Sequence, residues 1–129
     1  MWTSVLAISV GAAVGANLRW WLGVACNHWF PDVPPGTLIA NLVGAGCIGF
    51  AMGYFVNTPQ LAPEWRLFVI TGLLGSLTTF STFSAEIFQL IQTGKHMIAV
   101  AAMMAHLAGS LLMTAIGFFA YGLLMLKSG

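Results

Sequence analysis

Four apolar runs occupy almost the whole chain, over residues 2–26, 36–56, 65–92 and 97–126, and only short loops carrying proline, glycine or asparagine part them. Each run is long enough to cross a bilayer core of roughly 30 Å as a helix. Hydrocarbon offers no water to pair a free N–H or C=O, so each run must close its own hydrogen bonds. The expectation is an all-α integral membrane protein with four transmembrane helices in a single transmembrane domain, residues 1–129. Composition agrees: 5% of residues are charged, against about 25% in soluble domains. With a net charge of +1 and no basic run, nucleic acid is not an expected partner.

The third run carries the anomaly. Between Gly72 and Ser84 it holds two glycines, three threonines and three serines. Residues 65–92 as one straight helix would measure about 42 Å at 1.5 Å per residue. Excess length and central polarity together predict an interruption near Gly75–Thr78. A half-helix ending there would present free carbonyls and a negative dipole end, and the next would begin with free N–H groups and a positive end. Carbonyls suit a small hard cation. N–H groups, hydroxyls and amides suit an anion. Phe80 and Phe83 can face one way, either packed in a core or turning positive ring edges toward an anion.

The other runs add polar positions. Gly11 and Gly15 form a GxxxG pair that permits close helix approach. Arg19 either snorkels to the interface or stands at the mouth of a polar cavity. Trp20, Trp21 and Trp29 fit an interfacial aromatic belt. In the second run Thr37, Asn41 and Gly44 share one face, and Asn41 must bond either another helix or something in a pore. In the fourth run His106, Ser110 and Thr114 stand in register as one polar stripe. Gly94 is placed to end the third run in a left-handed cap. Cys26 and Cys47 form no metal or redox spacing and read as small apolar fillers. The apolar start, Trp2 to Val14, has no basic leader and stays apolar beyond any cleavage site, so it is expected to be mature structure.

Only three acidic residues occur, and of these only Glu86 lies within an apolar run. No cluster of titratable groups is present, so the chain is not expected to be an enzyme. Arg66 and Lys127 fall on one side of the membrane, Arg19 and Lys95 on the other. The positive-inside rule then has no bias to act on. Insertion both ways up, and an antiparallel pair, become possible. The residues themselves point to a small channel or carrier, without naming the ion.

The run Gly72-x-x-Gly75-x-Leu77-Thr78-Thr79-Phe80-Ser81-Thr82-Phe83 resembles the signature of the bacterial fluoride channels, the Fluc or CrcB family. Gly11-x-x-x-Gly15-x-x-x-Arg19 and Gly36-Thr37-Leu38-x-x-Asn41-x-x-Gly44 support it. The resemblance covers the whole chain. It implies a dual-topology antiparallel homodimer with two pores, in the lipid bilayer of the bacterial inner membrane. It implies passive export of fluoride, which relieves its toxicity. Phe80 and Phe83 would line the pore with Asn41, beside Ser81, Thr82 and Ser84. Arg19, Thr37 and Glu86 would form a vestibule. His106, Ser110 and Thr114 match the family's polar track, with histidine where a hydroxyl is more usual. A structural sodium ion would sit at the dimer centre on backbone carbonyls, here Gly75 and Thr78. Two other readings remain: a small antiparallel multidrug carrier and an accessory membrane subunit. The first run lacks the embedded carboxylate such a carrier needs.

Overall fold

A computed structural model describes residues 1–129. Helix α1 spans Trp2–Cys26 and ends in a 3₁₀ turn, Asn27–Trp29. Helix α2 spans Pro35–Val56, with Pro35 in its first turn, where a missing N–H costs nothing. Helix α3, residues 63–77, runs through Pro63–Arg66, a π-helical stretch Leu67–Leu74 and a last turn Gly75–Leu77. Helix α4 spans Phe80–Gln92, and α5 spans His96–Ser128. Four helical segments are long and apolar enough to cross a membrane, α3 and α4 counting together as one over Pro63–Gln92.

The third span is therefore interrupted. The break falls at Thr78 (φ −79°, ψ 153°) and Thr79 (φ −150°, ψ 120°), both extended. Gly75 keeps helical angles (φ −64°, ψ −31°) and lies in the last turn before the break. Only Gly94 has a positive φ, 76°. There the Lys95 N–H donates to Leu90 O at 2.9 Å and the Gly94 N–H to Ile91 O at 3.1 Å. That paired bonding closes the end of α4 and turns the chain into α5.

Helices in lipid gain little from burying apolar surface against each other, so close van der Waals packing must hold them. Glycine provides it at two seams. Gly11 of α1 lies against Gly72 of α3 and Gly15 against Leu73 and Ser76, and a Cβ on Gly11 would come within 2.8 Å of Leu73 N. Gly49 of α2 and Gly117 of α5 make the second seam, where a Cβ on Gly117 would meet Phe50 N at 2.9 Å. Helix α4 packs more lightly, through Ile87 and Leu90 on Ala99 and Ala102 of α5.

Only 21 of 129 residues are buried, so most apolar side chains face outward, as hydrocarbon surroundings require. Trp2 and Trp65 mark one end of the bundle, Trp20, Trp21 and Trp29 the other, and all five are exposed. Thr3 Oγ1 donates to Glu64 Oε1 at 3.1 Å at the first end. Lys95 pairs with Asp32 at the second.

The seams make a direct prediction. Gly117→Val should push α2 and α5 apart and lower stability in detergent by about 1–3 kcal/mol. Thermal unfolding of the variant checks it, and an unchanged midpoint would show that the seam tolerates a side chain.

Candidate functional site

A helix ending inside a membrane leaves its last carbonyls without partners. At the end of α3 these belong to Leu74, Gly75, Ser76 and Leu77. Leu74 O accepts from Thr78 N at 3.1 Å and from Thr78 Oγ1 at 2.9 Å. Ser76 O accepts from Arg19 Nε at 3.1 Å. A guanidinium there also meets the negative end of the α3 dipole. The Gly75 and Leu77 carbonyls gain no such partner.

The first N–H groups of α4 pose the mirror problem. Thr79 is the N-cap, and its Oγ1 accepts from Thr82 N at 3.1 Å. The Thr79 peptide groups themselves pair with Asn41 of α2. Asn41 Oδ1 accepts from Thr79 N at 2.7 Å, and Asn41 Nδ2 donates to Thr79 O at 3.1 Å. The two bonds fix which end of the carboxamide is oxygen. The same Nδ2 lies 3.1 Å from His106 Nδ1 on α5. Gly44, one turn along α2, leaves room for the Thr78 methyl.

Around this break opens a cavity of about 360 Å³, walled by α2, the break, α4 and α5. Asn41, Phe80, Phe83, His106, Ser110 and Thr114 all line it, together with Thr78 and Thr79. The Phe83 and His106 rings lie 4.6 Å apart at 38°, and Phe80 and Phe83 lie 5.5 Å apart at 60°. Phe80 is 79% exposed, so it forms an open rim while Phe83 lies deeper. No carboxylate, lysine or arginine lines the cavity. Its polarity comes from neutral groups alone, the Asn41 amide, the His106 ring and the hydroxyls of Thr78, Thr79, Ser110 and Thr114.

A second cavity, about 370 Å³, brings Arg19, Thr37 and Thr82 together near the end of α1. Thr37 Oγ1 donates to Glu86 Oε1 at 2.6 Å. Glu86 in turn lines a smaller polar pocket with Asp32 and Lys95 at the loop end. Ser81 and Ser84 are exposed and reach none of these three cavities. Ser81 Oγ lies 3.3 Å from Thr79 Oγ1.

Thr79 stands in the sequence only as part of the Gly72–Phe83 run, and Asn27 only as a loop residue. Thr79 sits three residues before Thr82, ahead of an apolar run, which is a helix-start signal. Asn27 Oδ1 accepts from Gly36 N at 2.9 Å and so ties the end of α1 to the start of α2; nothing local in the sequence marks it.

If Asn41 holds the break, its loss leaves the Thr79 N–H and C=O unpaired. An unsatisfied buried polar group costs about 1–3 kcal/mol, so in Asn41→Leu the Thr79 amide should exchange with solvent roughly ten times faster or more. Hydrogen exchange in micelles reads this directly, and unchanged protection would show that the break stands without the amide.

Comparison with known proteins places the chain. A family model described as CrcB-like protein, Camphor Resistance (CrcB), matches residues 6–118. The chain is 55% identical to the Fluoride-specific ion channel FluC of Chromohalobacter salexigens over 129 residues, covering 100% of this chain and 98% of that one. It is 57% identical to the protein of the same name from Pseudomonas paraeruginosa, over 92% of this chain and 94% of that one. It is 54% identical to that from Nitrosomonas europaea, over 91% and 92%. These relatives are named as ion channels and not as enzymes. The chain belongs to the CrcB-like family.

Proposed function

We propose that the chain is a fluoride-selective channel that lets fluoride leave the cell passively, down its electrochemical gradient, and so relieves its toxicity. The observation that carries the reading is the uncharged cavity at the helix break, with Phe80, Phe83, His106 and Ser110 around it. The names of its relatives supply the ion. Arg19 and Thr37, with Glu86 close by, form a vestibule at the α1 end. Phe80, Phe83 and Asn41 form the pore wall, and His106, Ser110 and Thr114 the polar track. Thr82 belongs to the vestibule wall, while Ser81 and Ser84 stand exposed on α4 outside both cavities.

The working unit is an antiparallel homodimer in the bacterial inner membrane, with two pores. The exposed rim at Phe80 supports it, because one chain leaves that side of the cavity without a wall. The even split of basic residues between the two sides supports dual insertion. A structural sodium ion fits the break. The Gly75 carbonyl is one of the unpaired helix-end oxygens, and the Thr78 carbonyl follows three residues on, in extended backbone. One chain brings two such oxygens, and an inverted partner would bring the same two again. Bound there, sodium would supply positive charge at the dimer centre.

Fluoride efflux from liposomes holding the purified protein tests the function, with chloride as competitor. Efflux should be rapid for fluoride alone; no efflux under a fluoride gradient would reject the reading. Phe80→Ile and Phe83→Ile should each slow it roughly tenfold or more while the dimer persists. Unchanged flux would remove both rings from the pore.

Orientation has its own test. Two lysines added near the C-terminus should force one topology and reduce export. Export should return on co-expression with an oppositely biased copy. Full activity from the biased copy alone would contradict the antiparallel dimer.

A further inference from the structure

Four side chains on the cavity wall have their donors already engaged. Asn41 Nδ2 donates to Thr79 O, Thr78 Oγ1 to Leu74 O, Thr79 Oγ1 to Thr82 Oγ1, and Thr114 Oγ1 to Ser110 O. The Ser110 hydroxyl and one nitrogen of His106 make no hydrogen bond to the protein. His106 is only 5% exposed, yet no buried side-chain N or O atom lacks a partner. Its free nitrogen, Nε2, therefore keeps some accessible surface, and the ring is part of the cavity wall.

The state of that nitrogen follows from the chain of contacts behind it. Thr79 N–H needs an oxygen opposite and Thr79 O needs an N–H, so the Asn41 carboxamide has one orientation. Its NH₂ group then supplies the second hydrogen to His106 Nδ1, 3.1 Å away. Nδ1 must accept. A neutral imidazole that accepts at Nδ1 carries its proton on Nε2. A doubly protonated ring would set N–H against N–H at this contact.

We infer that the Thr79 peptide, through Asn41, fixes His106 as the neutral tautomer with its Nε2–H aimed into the cavity, where it donates to the passing anion. Asn41 is then a positioning residue that acts through His106, since both its N–H groups are occupied by protein acceptors. The ring also packs against Phe83, their centroids 4.6 Å apart. No charged side chain lines the cavity around it from α2, α4 or α5. The anion at the end of this relay rests on the fluoride reading above.

The test uses full-length protein in nanodiscs with ¹⁵N-labelled histidine and asparagine at neutral pH. The His106 signals are identified by their loss in His106→Gln. The ring should show a protonated Nε2 and a bare Nδ1, with a coupling across the hydrogen bond to Asn41 Nδ2. A protonated Nδ1, or a doubly protonated ring, would overturn the inference. Asn41→Leu should bring in the second tautomer; an unaltered single tautomer would remove Asn41 from the relay. If that variant does not fold, the coupling in the unmodified protein decides the same point, and its absence counts against the relay. Potassium fluoride, against potassium gluconate, should shift Nε2 more than Nδ1. Efflux with no shift at Nε2 would sink the donor role. The expected tautomer in a protein that passes no fluoride would sink the fluoride reading and leave the relay standing.

Discussion

Between α3 and α4 the Thr79 peptide would be two unpaired polar groups in hydrocarbon if Asn41 did not face it. Each unpaired group at that depth costs several kcal/mol. A helix can stop in mid-membrane only where something replaces the bonds that it gives up. Here a single carboxamide replaces both, at 2.7 Å and 3.1 Å. The cavity follows from that substitution. With the backbone turned aside for two residues, α4 restarts at an angle that places Phe80 and Phe83 opposite the stripe on α5.

Glycine does different work in this chain from the work its sequence context suggests. Gly72 and Gly75 draw attention to the region of the break, yet neither is in it. Gly72 is there to let α1 approach, and Gly75 remains helical. The break uses β-region angles at two threonines, which any residue can adopt. Only the helix-start signal at Thr79 marks the place locally. The four spans, the cap at Gly94 and the existence of an interruption were legible, because hydropathy, turn chemistry and excess length are local properties. The position of the break was legible to within a turn, expected near Gly75–Thr78 and found at Thr78–Thr79; the residues themselves were not, because a partner on another helix determines them.

The same division holds at the site. His106, Ser110 and Thr114 lie on one uninterrupted helix, so their register was plain, and all three reach the cavity. That Thr114 turns its hydroxyl back to Ser110 O was not. Asn41 stood open between helix glue and pore lining. In the structure it lines the cavity while its polar atoms are bound to Thr79 and His106. Thr37 shares its face but reaches Glu86 and the other cavity's wall. Spacing along one helix cannot tell which neighbour each residue will meet.

Arg19 and Asn41 come from different helices and hold opposite sides of the same break, one at Ser76 O and the other at Thr79. A joint stayed from both sides is not a hinge. The backbone here is braced like a mast, and neither half-helix can swing without breaking a bond to α1 or α2. Collective helix movements take microseconds or longer and need bonds of this kind to give way. With both stays in place, the cavity beside the break keeps the outline of a fixed frame rather than that of a moving jaw.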